Sequence, residues 1–176
     1  MTRITTVLLG TALIACLANA PVRAEDVKAG DLVISQAWSR ATPGGAKTGG
    51  GYLTIQNKGT APDKLIGAST DIAGKVEVHE MAMNDGVMKM RPLENGLAIE
   101  PGKTVKLAPG GNHLMMMDLK NPLKQGEKVP VTLQFEKAGK VAITLDVEGV
   151  GAKGPEGADG MGGMKKMDGM KPGMKM

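Results

Sequence analysis

Cysteine and aromatic residues are scarce in this chain of 176 residues, which has one Cys, one Trp, one Tyr and one Phe. The cysteine, Cys16, lies in an N-terminal segment that has the pattern of an export signal, so a processed chain would hold none. Without thiols the processed protein can form no disulfide, perform no thiol redox chemistry and offer no thiolate to a metal.

An excess of basic charge is also missing from the central part of the chain. Residues 25–150 hold 15 Lys and Arg against 15 Asp and Glu. The basic overall balance therefore comes from the two ends of the chain. Nucleic-acid binding needs a concentrated basic face, and the sequence shows none, so we expect no nucleic-acid partner.

The first 24 residues have the features of a cleavable export signal. Arg3 is followed by the apolar run "VLLGTALIACLANA", and "VRA" forms a small-residue cleavage site before Glu25. The run is too short for a membrane span, and we predict an exported, periplasmic protein without one. An alternative is a lipid-anchored form, because "LIAC" at residues 13–16 resembles a lipoprotein processing box ending at Cys16.

Long amphipathic helices are absent from the pattern of residues 25–150, which consists of short β-type runs separated by turn residues. Nine runs such as "DLVISQAWSR" and "VAITLDVEG" alternate with turns such as "TPGG", "NDG" and "APGG". This spacing predicts one all-β domain over residues 25–150, an antiparallel sandwich or barrel.

The segment 151–176 differs in composition, with eight glycines and no aromatic or β-branched residue. Such a segment cannot bury enough apolar surface to offset the entropy of ordering, so we predict a disordered tail. It contains six methionines whose thioethers are candidate ligands for a soft metal ion: Met161, Met164, Met167, Met170, Met174 and Met176.

Both histidines of the chain are followed by methionine two residues later, in "HEM" at His79 and in "HLM" at His113. Side chains on a strand alternate between faces, so His113 and Met115 share one face. Leu114 and Met116 should then point into the core.

A hairpin turn is predicted at "MNDGV". A loop at Asp85-Gly86 would set Met81 opposite Met90, with His79 diagonal to Met90. A loop at Asn84-Asp85 would instead set His79 directly opposite Met90. Either register places the histidine and the methionines on one face.

Two imidazoles and two thioethers form a soft set of neutral ligands that suits Cu(I), whereas zinc sites favour thiolate, carboxylate or more imidazole. Methionine is also a common filler of cores, and packing is the alternative explanation for any one of these residues. The joint His and Met pattern favours a copper site.

These residues resemble the signature of the periplasmic CuA copper chaperones, small exported proteins with a cupredoxin-like Greek-key β-barrel. Here His79 is followed by ten residues and Met90, then by twenty-two residues and His113-Leu114-Met115. The second gap is one residue longer than the family pattern, and a loop such as "EPGK" can absorb it. The stretches "WSRATPGGAKTGGGYLTIQNKG" and "PGGNHLMMMDLKNPLKQGE" extend the resemblance over about residues 30–148.

The resemblance implies a copper chaperone whose Cu(I) ligands are His79, Met90, His113 and Met115. It also implies delivery of copper to the CuA centre of cytochrome c oxidase, with subunit II or an intermediary thiol-containing copper chaperone as partner. The chain has no nucleophile–base pair with recognisable spacing and no hydrolase motif, so we expect that it is not an enzyme. We expect the protein to act as a monomer. Blue-copper electron transfer is excluded because it needs a cysteine ligand. A copper-sequestering buffer and a structural β-sandwich remain as alternatives.

Overall fold

The computed structural model describes residues 26–155, and within them all regular structure is β-strand. The predicted export signal, Cys16 and the six tail methionines lie outside the described residues. No helix in the described part has the length and apolarity needed to cross a membrane. The eleven strands are β1 Val27–Ala29, β2 Leu32–Arg40, β3 Thr48–Asn57, β4 Asp63–Ser69, β5 Ala73–Asn84, β6 Val87–Pro92, β7 Leu97–Ile99, β8 Thr104–Leu107, β9 His113–Leu119, β10 Lys128–Phe135 and β11 Lys140–Glu148.

Seven of these strands close into a barrel in the order β2-β11-β10-β4-β5-β9-β3, because β3 also pairs with β2. Strands β1 and β8 extend the path at its two ends, while β6 pairs with β5 and β7 with β4. The predicted all-β barrel is confirmed. Every pairing is antiparallel as expected except one, since β11 runs parallel to β2.

The barrel interior is filled by aliphatic side chains that alternate along each strand, as the period of two requires. Leu114 and Met116 of β9 are fully buried, which confirms their predicted inward direction. Gly51 lies opposite Leu114, and a Cβ at this glycine would stand 3.0 Å from Leu145 Cδ1. A side chain at residue 51 would therefore crowd the part of the core that lies between Leu114 of β9 and Leu145 of β11.

A bulge in β2 turns its aromatic residue outward. The pairing of β2 with β3 shifts between Ser35 and Trp38, and Gln36 has a positive φ of 52°. Beyond the bulge Trp38 lies opposite Tyr52, and the two ring centroids are 4.6 Å apart. The outer face of the barrel thus carries an aromatic pair on β2 and β3, and β3 is the direct neighbour of β9.

The β5–β6 hairpin forms at the predicted "NDG" turn. Asn84 pairs with Val87, which leaves Asp85 and Gly86 as a two-residue loop, with φ values of 50° and 78°. Two consecutive positive φ angles define a type I′ turn, whose twist matches that of the flanking strands. Of the two registers considered, the structure has the one with Met81 opposite Met90.

Candidate metal centre

The two histidines face each other across neighbouring strands. His79 of β5 is the direct cross-strand partner of His113 of β9. Their ring centroids are 5.9 Å apart, in an edge-to-face arrangement. Their sequence neighbours Val78 and Leu114 point into the core, so both rings lie on the outer face, yet both are buried.

The hydrogen bonds of His79 leave its Nδ1 atom unsatisfied. His79 Nε2 lies 3.0 Å from Glu77 Oε2, and an ionised carboxylate can only accept, so Nε2 carries the proton of the neutral ring. Nδ1 then holds a lone pair, and this atom is buried with no hydrogen-bond partner among the described residues. A buried nitrogen lone pair without a partner is costly unless a ligand satisfies it.

His113 is oriented by the backbone. Its Nδ1 lies 3.0 Å from the carbonyl oxygen of Gly111, so Nδ1 donates and Nε2 is left as the lone-pair nitrogen. The same carbonyl accepts from the backbone N–H of Met81 at 3.3 Å. The turn before β9 therefore fixes the His113 ring and ties it to β5.

Glu77 shares this outer face and is bound on both oxygens. Lys75 Nζ contacts Oε1, while Oε2 binds His79. The hydrogen bonds from Lys75 and then from His79 lower the pKa of Glu77. The carboxylate therefore stays ionised and places a negative charge beside the imidazoles, where it would balance a bound cation.

The predicted thioether ligands lie on either side of this imidazole pair. Met115 follows His113 on the same face of β9 and is the cross-strand partner of Glu77. Met90 of β6 lies opposite Met81, diagonal to His79, and is half exposed. β5 separates Met90 from Met115, and Met81 lies closer to His113 in the ladder than Met90 does.

A tyrosine that sequence reasoning overlooked borders Met115. Gly50 of β3 is the cross-strand partner of Met115, and the Tyr52 hydroxyl lies 2.7 Å from the position a Cβ at Gly50 would occupy. The absence of a side chain at residue 50 makes room for the phenol. Arg40 stands over the Tyr52 ring at 5.8 Å and donates to the carbonyl of Ala152 at 2.7 Å.

Neither Glu77 nor Tyr52 was singled out from the sequence, although a signal for Glu77 was available. Glu77 precedes His79 by two residues, so the period of a strand already places both on one face. Tyr52 has no such signal, because its position beside Met115 depends on the pairing of β3 with β9.

The family described as "Putative lipoprotein LpqE-like" matches residues 32–147. The chain belongs to the LpqE-like family. A putative lipoprotein of Leifsonia xyli subsp. xyli is 32% identical over 149 residues, which cover 84% of this LpqE-like chain and 87% of the relative.

Two solved structures that are similar to this LpqE-like chain are described by their names as copper-bound proteins. The copper-bound PCuAC domain from PmoF2 is 28% identical, with a TM-score of 0.61, over 71% of this chain and 98% of that domain. The Cu(I) form of DR1885 from Deinococcus radiodurans is 30% identical, with a TM-score of 0.52, over 70% of this chain and 80% of that protein. The resemblance to the PCuAC-type family and its cupredoxin-like fold is confirmed.

The hydrogen bond between Glu77 and His79 makes a testable prediction. Glu77→Ala should weaken Cu(I) binding by about 10- to 100-fold, as is usual when the partner that orients a histidine ligand is lost. Glu77→Gln should retain most of the affinity, because the amide oxygen can still accept from Nε2–H. Competition with a chromophoric Cu(I) chelator measures both variants.

Lys75→Ala is the matched control, because it removes the other partner of Glu77 and leaves the bond to His79 in place. Its affinity should stay close to that of the wild type. Wild-type affinity in Glu77→Ala would show that the carboxylate does not orient a ligand.

Proposed function

We propose that this protein is an exported copper chaperone that binds one Cu(I) through His79, Met90, His113 and Met115. In this proposal it delivers the ion toward the CuA centre of cytochrome c oxidase and catalyses no reaction. The buried, unsatisfied Nδ1 atom of His79, beside a second imidazole, is the observation that carries the proposal.

The chemistry of the residues suits Cu(I) as cargo. Imidazole nitrogen and thioether sulfur are ligands that Cu(I) accepts. A neutral imidazole binds the ion without losing a proton, and a thioether has no proton to lose. The two lone-pair nitrogens inferred from the hydrogen bonds are Nδ1 of His79 and Nε2 of His113. Glu77 supplies a negative charge nearby without being a ligand itself.

Release to an acceptor is favoured by the shallow position of the ligands. Met90 is 50% exposed, so a ligand of the acceptor can replace its sulfur before the copper–imidazole bonds dissociate. Each step then replaces one copper–ligand bond of this protein with a bond to the acceptor, and copper never becomes a free ion. Burial of both histidine rings keeps the site tight until an acceptor arrives.

Two forms of the exported protein fit the sequence. Cleavage before Glu25 gives a soluble protein, whereas lipidation of Cys16 gives an anchored one. The lipoprotein names of the family and of the Leifsonia relative support the anchored form as the alternative.

A copper buffer is the second candidate function, favoured by the six methionines of the tail. A transfer assay separates the two. The Cu(I)-loaded protein is mixed with the apo soluble domain of oxidase subunit II, alone or with a thiol-containing copper chaperone, and the copper content of each protein is measured after they are separated. Acquisition of copper by the acceptor supports the chaperone; copper that stays on the protein while a chelator can still remove it supports the buffer.

Truncation after Val150 tests the role of the tail. The truncated chain should keep the tight site, lose weaker copper equivalents and load more slowly when copper is scarce, because a tethered ligand set raises the local copper concentration. After β11 the chain passes Arg40, which stands over Tyr52 and donates to the carbonyl of Ala152. Arg40 lies on β2, two strands from β9 and His113, and the tail begins there. Stoichiometry by chelator competition and stopped-flow loading rates measure the effect.

A tail whose methionines are replaced by leucine is the matched control, since it keeps the length and the lysines. It should behave like the truncated chain. Equal stoichiometry and equal loading rates in all three proteins would show that the tail is inert toward copper.

A further inference from the structure

The β5–β6 hairpin carries a second pair of thioethers beyond the proposed copper ligands. Met83 of β5 is the cross-strand partner of Met88 of β6, one rung nearer the turn than the pair of Met81 and Met90. Side chains alternate along strands, so these four methionines share one face of the hairpin, and this face ends at His79. We call Met83 and Met88 the tip pair.

Packing does not account for the tip pair. Met83 is 65% exposed and Met88 is 49% exposed, so neither belongs to the core. The reverse face of the hairpin is polar, with Arg91 bonded to Glu80 at 2.9 and 3.0 Å and with Lys89 exposed. One face of the hairpin thus carries charged side chains, as is usual for a protein surface, and the other face exposes methionine sulfur to water.

The geometry of a direct cross-strand pair suits a shared ion. Directly opposite residues have Cβ atoms about 4.5–5.5 Å apart, so two flexible thioether chains can reach one metal between them. The next rung, Met81 and Met90, lies two residues further along each strand on the same face. An ion bound at the tip pair is therefore within reach of the next pair of sulfurs.

We propose that the tip pair is an entry site that captures Cu(I) and passes it along the rung of Met81 and Met90 to the imidazole pair. The inference rests on the proposed function. Transfer from the tip pair forms copper–sulfur bonds to Met81 and Met90 and breaks those to Met83 and Met88. The last step forms bonds to the two imidazole nitrogens and to Met115, breaks the bond to Met81 and keeps the bond to Met90. The ion stays Cu(I), no electron or proton moves, and water completes its coordination at the tip.

The tip pair is a weaker site than the His and Met centre. It offers two exposed neutral sulfurs and no imidazole, so water competes with each bond. A weak outer site followed by a tighter inner one gives a downhill path for the ion. Such a path raises the rate of loading and leaves the final affinity unchanged.

An apolar contact for a protein partner is the other use of exposed methionines, and substitution by leucine separates the two. Leucine keeps the apolar surface and removes the sulfur. A double variant, Met83→Leu with Met88→Leu, therefore tests thioether chemistry alone. Both positions are exposed, so the fold should survive. Val87→Ala at the same turn is the control, because it changes apolar surface and leaves every sulfur in place.

The experiment uses the full processed chain with ¹³C-labelled methionine methyl groups, titrated with Ag(I) as a redox-inert substitute for Cu(I). The methyl signals of Met90 and Met115 should shift with the first equivalent, and those of Met83 and Met88 should shift together as more is added. The buried Met116 is the internal reference. With Cu(I) at substoichiometric supply, the double leucine variant should load several-fold more slowly at unchanged affinity, and Val87→Ala should load at the wild-type rate.

Stationary Met83 and Met88 signals, with an unchanged loading rate in the double leucine variant, would overturn the entry site while leaving the proposed function intact. A first equivalent that shifts no methyl group of residues 26–150 would instead contradict the proposed function itself. A loading rate reduced equally by Val87→Ala would show that apolar surface at the turn, and not sulfur, controls entry.

Discussion

Replacing both His79 and His113 with alanine is expected to lower the affinity for Cu(I) by more than about a hundredfold. Loss of a residue that only orients a ligand already costs about 10- to 100-fold, and the double variant removes both imidazoles. The two methionines that remain lie on opposite sides of β5 and form no direct cross-strand pair. Chelator competition on the wild type and the variant measures the loss.

The fold should survive this double substitution, because both rings lie on the outer face of the barrel. Far-ultraviolet circular dichroism and thermal unfolding check this point. Pro92→Ala is a control, since Pro92 faces His79 from β6 and is exposed without being a ligand. Retained wild-type affinity in the double alanine variant would exclude a site at these histidines.

Leu114→Ala is expected to have the opposite effect, with a large loss of stability and little change in copper binding. Leu114 lies between the two proposed ligands His113 and Met115, yet it is fully buried and faces the core. Truncation of a buried leucine lowers the free energy of unfolding by about 2–5 kcal/mol. Denaturant unfolding measures this loss, and chelator competition on the folded variant measures the affinity.

Met116→Leu is the matched control for this prediction. Met116 is also fully buried, and a swap that conserves volume should cost less than about 1.5 kcal/mol. A loss of copper affinity in Leu114→Ala equal to that of Met115→Ala would contradict the alternation of faces on which the site depends.

The strands of this barrel could be predicted from sequence wherever they are long and bounded by turn residues. β2, β5 and β9 each overlap a short β-type run that turn residues bound in the sequence. The three-residue strands β1 and β7 were missed, because so short a segment shows no periodicity. The parallel pairing of β11 with β2 was missed as well, since it joins segments about a hundred residues apart and depends on closure of the barrel.

The candidate site was predictable where it depends on local rules. The Asp85-Gly86 turn sets the register of β5 and β6, and strand parity puts His113 and Met115 on one face. The direct pairing of His79 with His113 was not predictable, because a register between β5 and β9 is fixed by packing of the whole barrel. The position of Tyr52 beside Met115 was not predictable either, because it depends on the pairing of β3 with β9 in the closed barrel.

X-ray absorption at the copper edge, on the protein loaded with one equivalent of Cu(I), tests the central claim most directly. We expect a reduced copper edge and a first shell that contains both imidazole nitrogen and thioether sulfur. The sulfur contribution should diminish when Met90 or Met115 is replaced by leucine. A first shell of oxygen and nitrogen without sulfur, or without the scattering pattern of imidazole, would contradict a His and Met site for Cu(I).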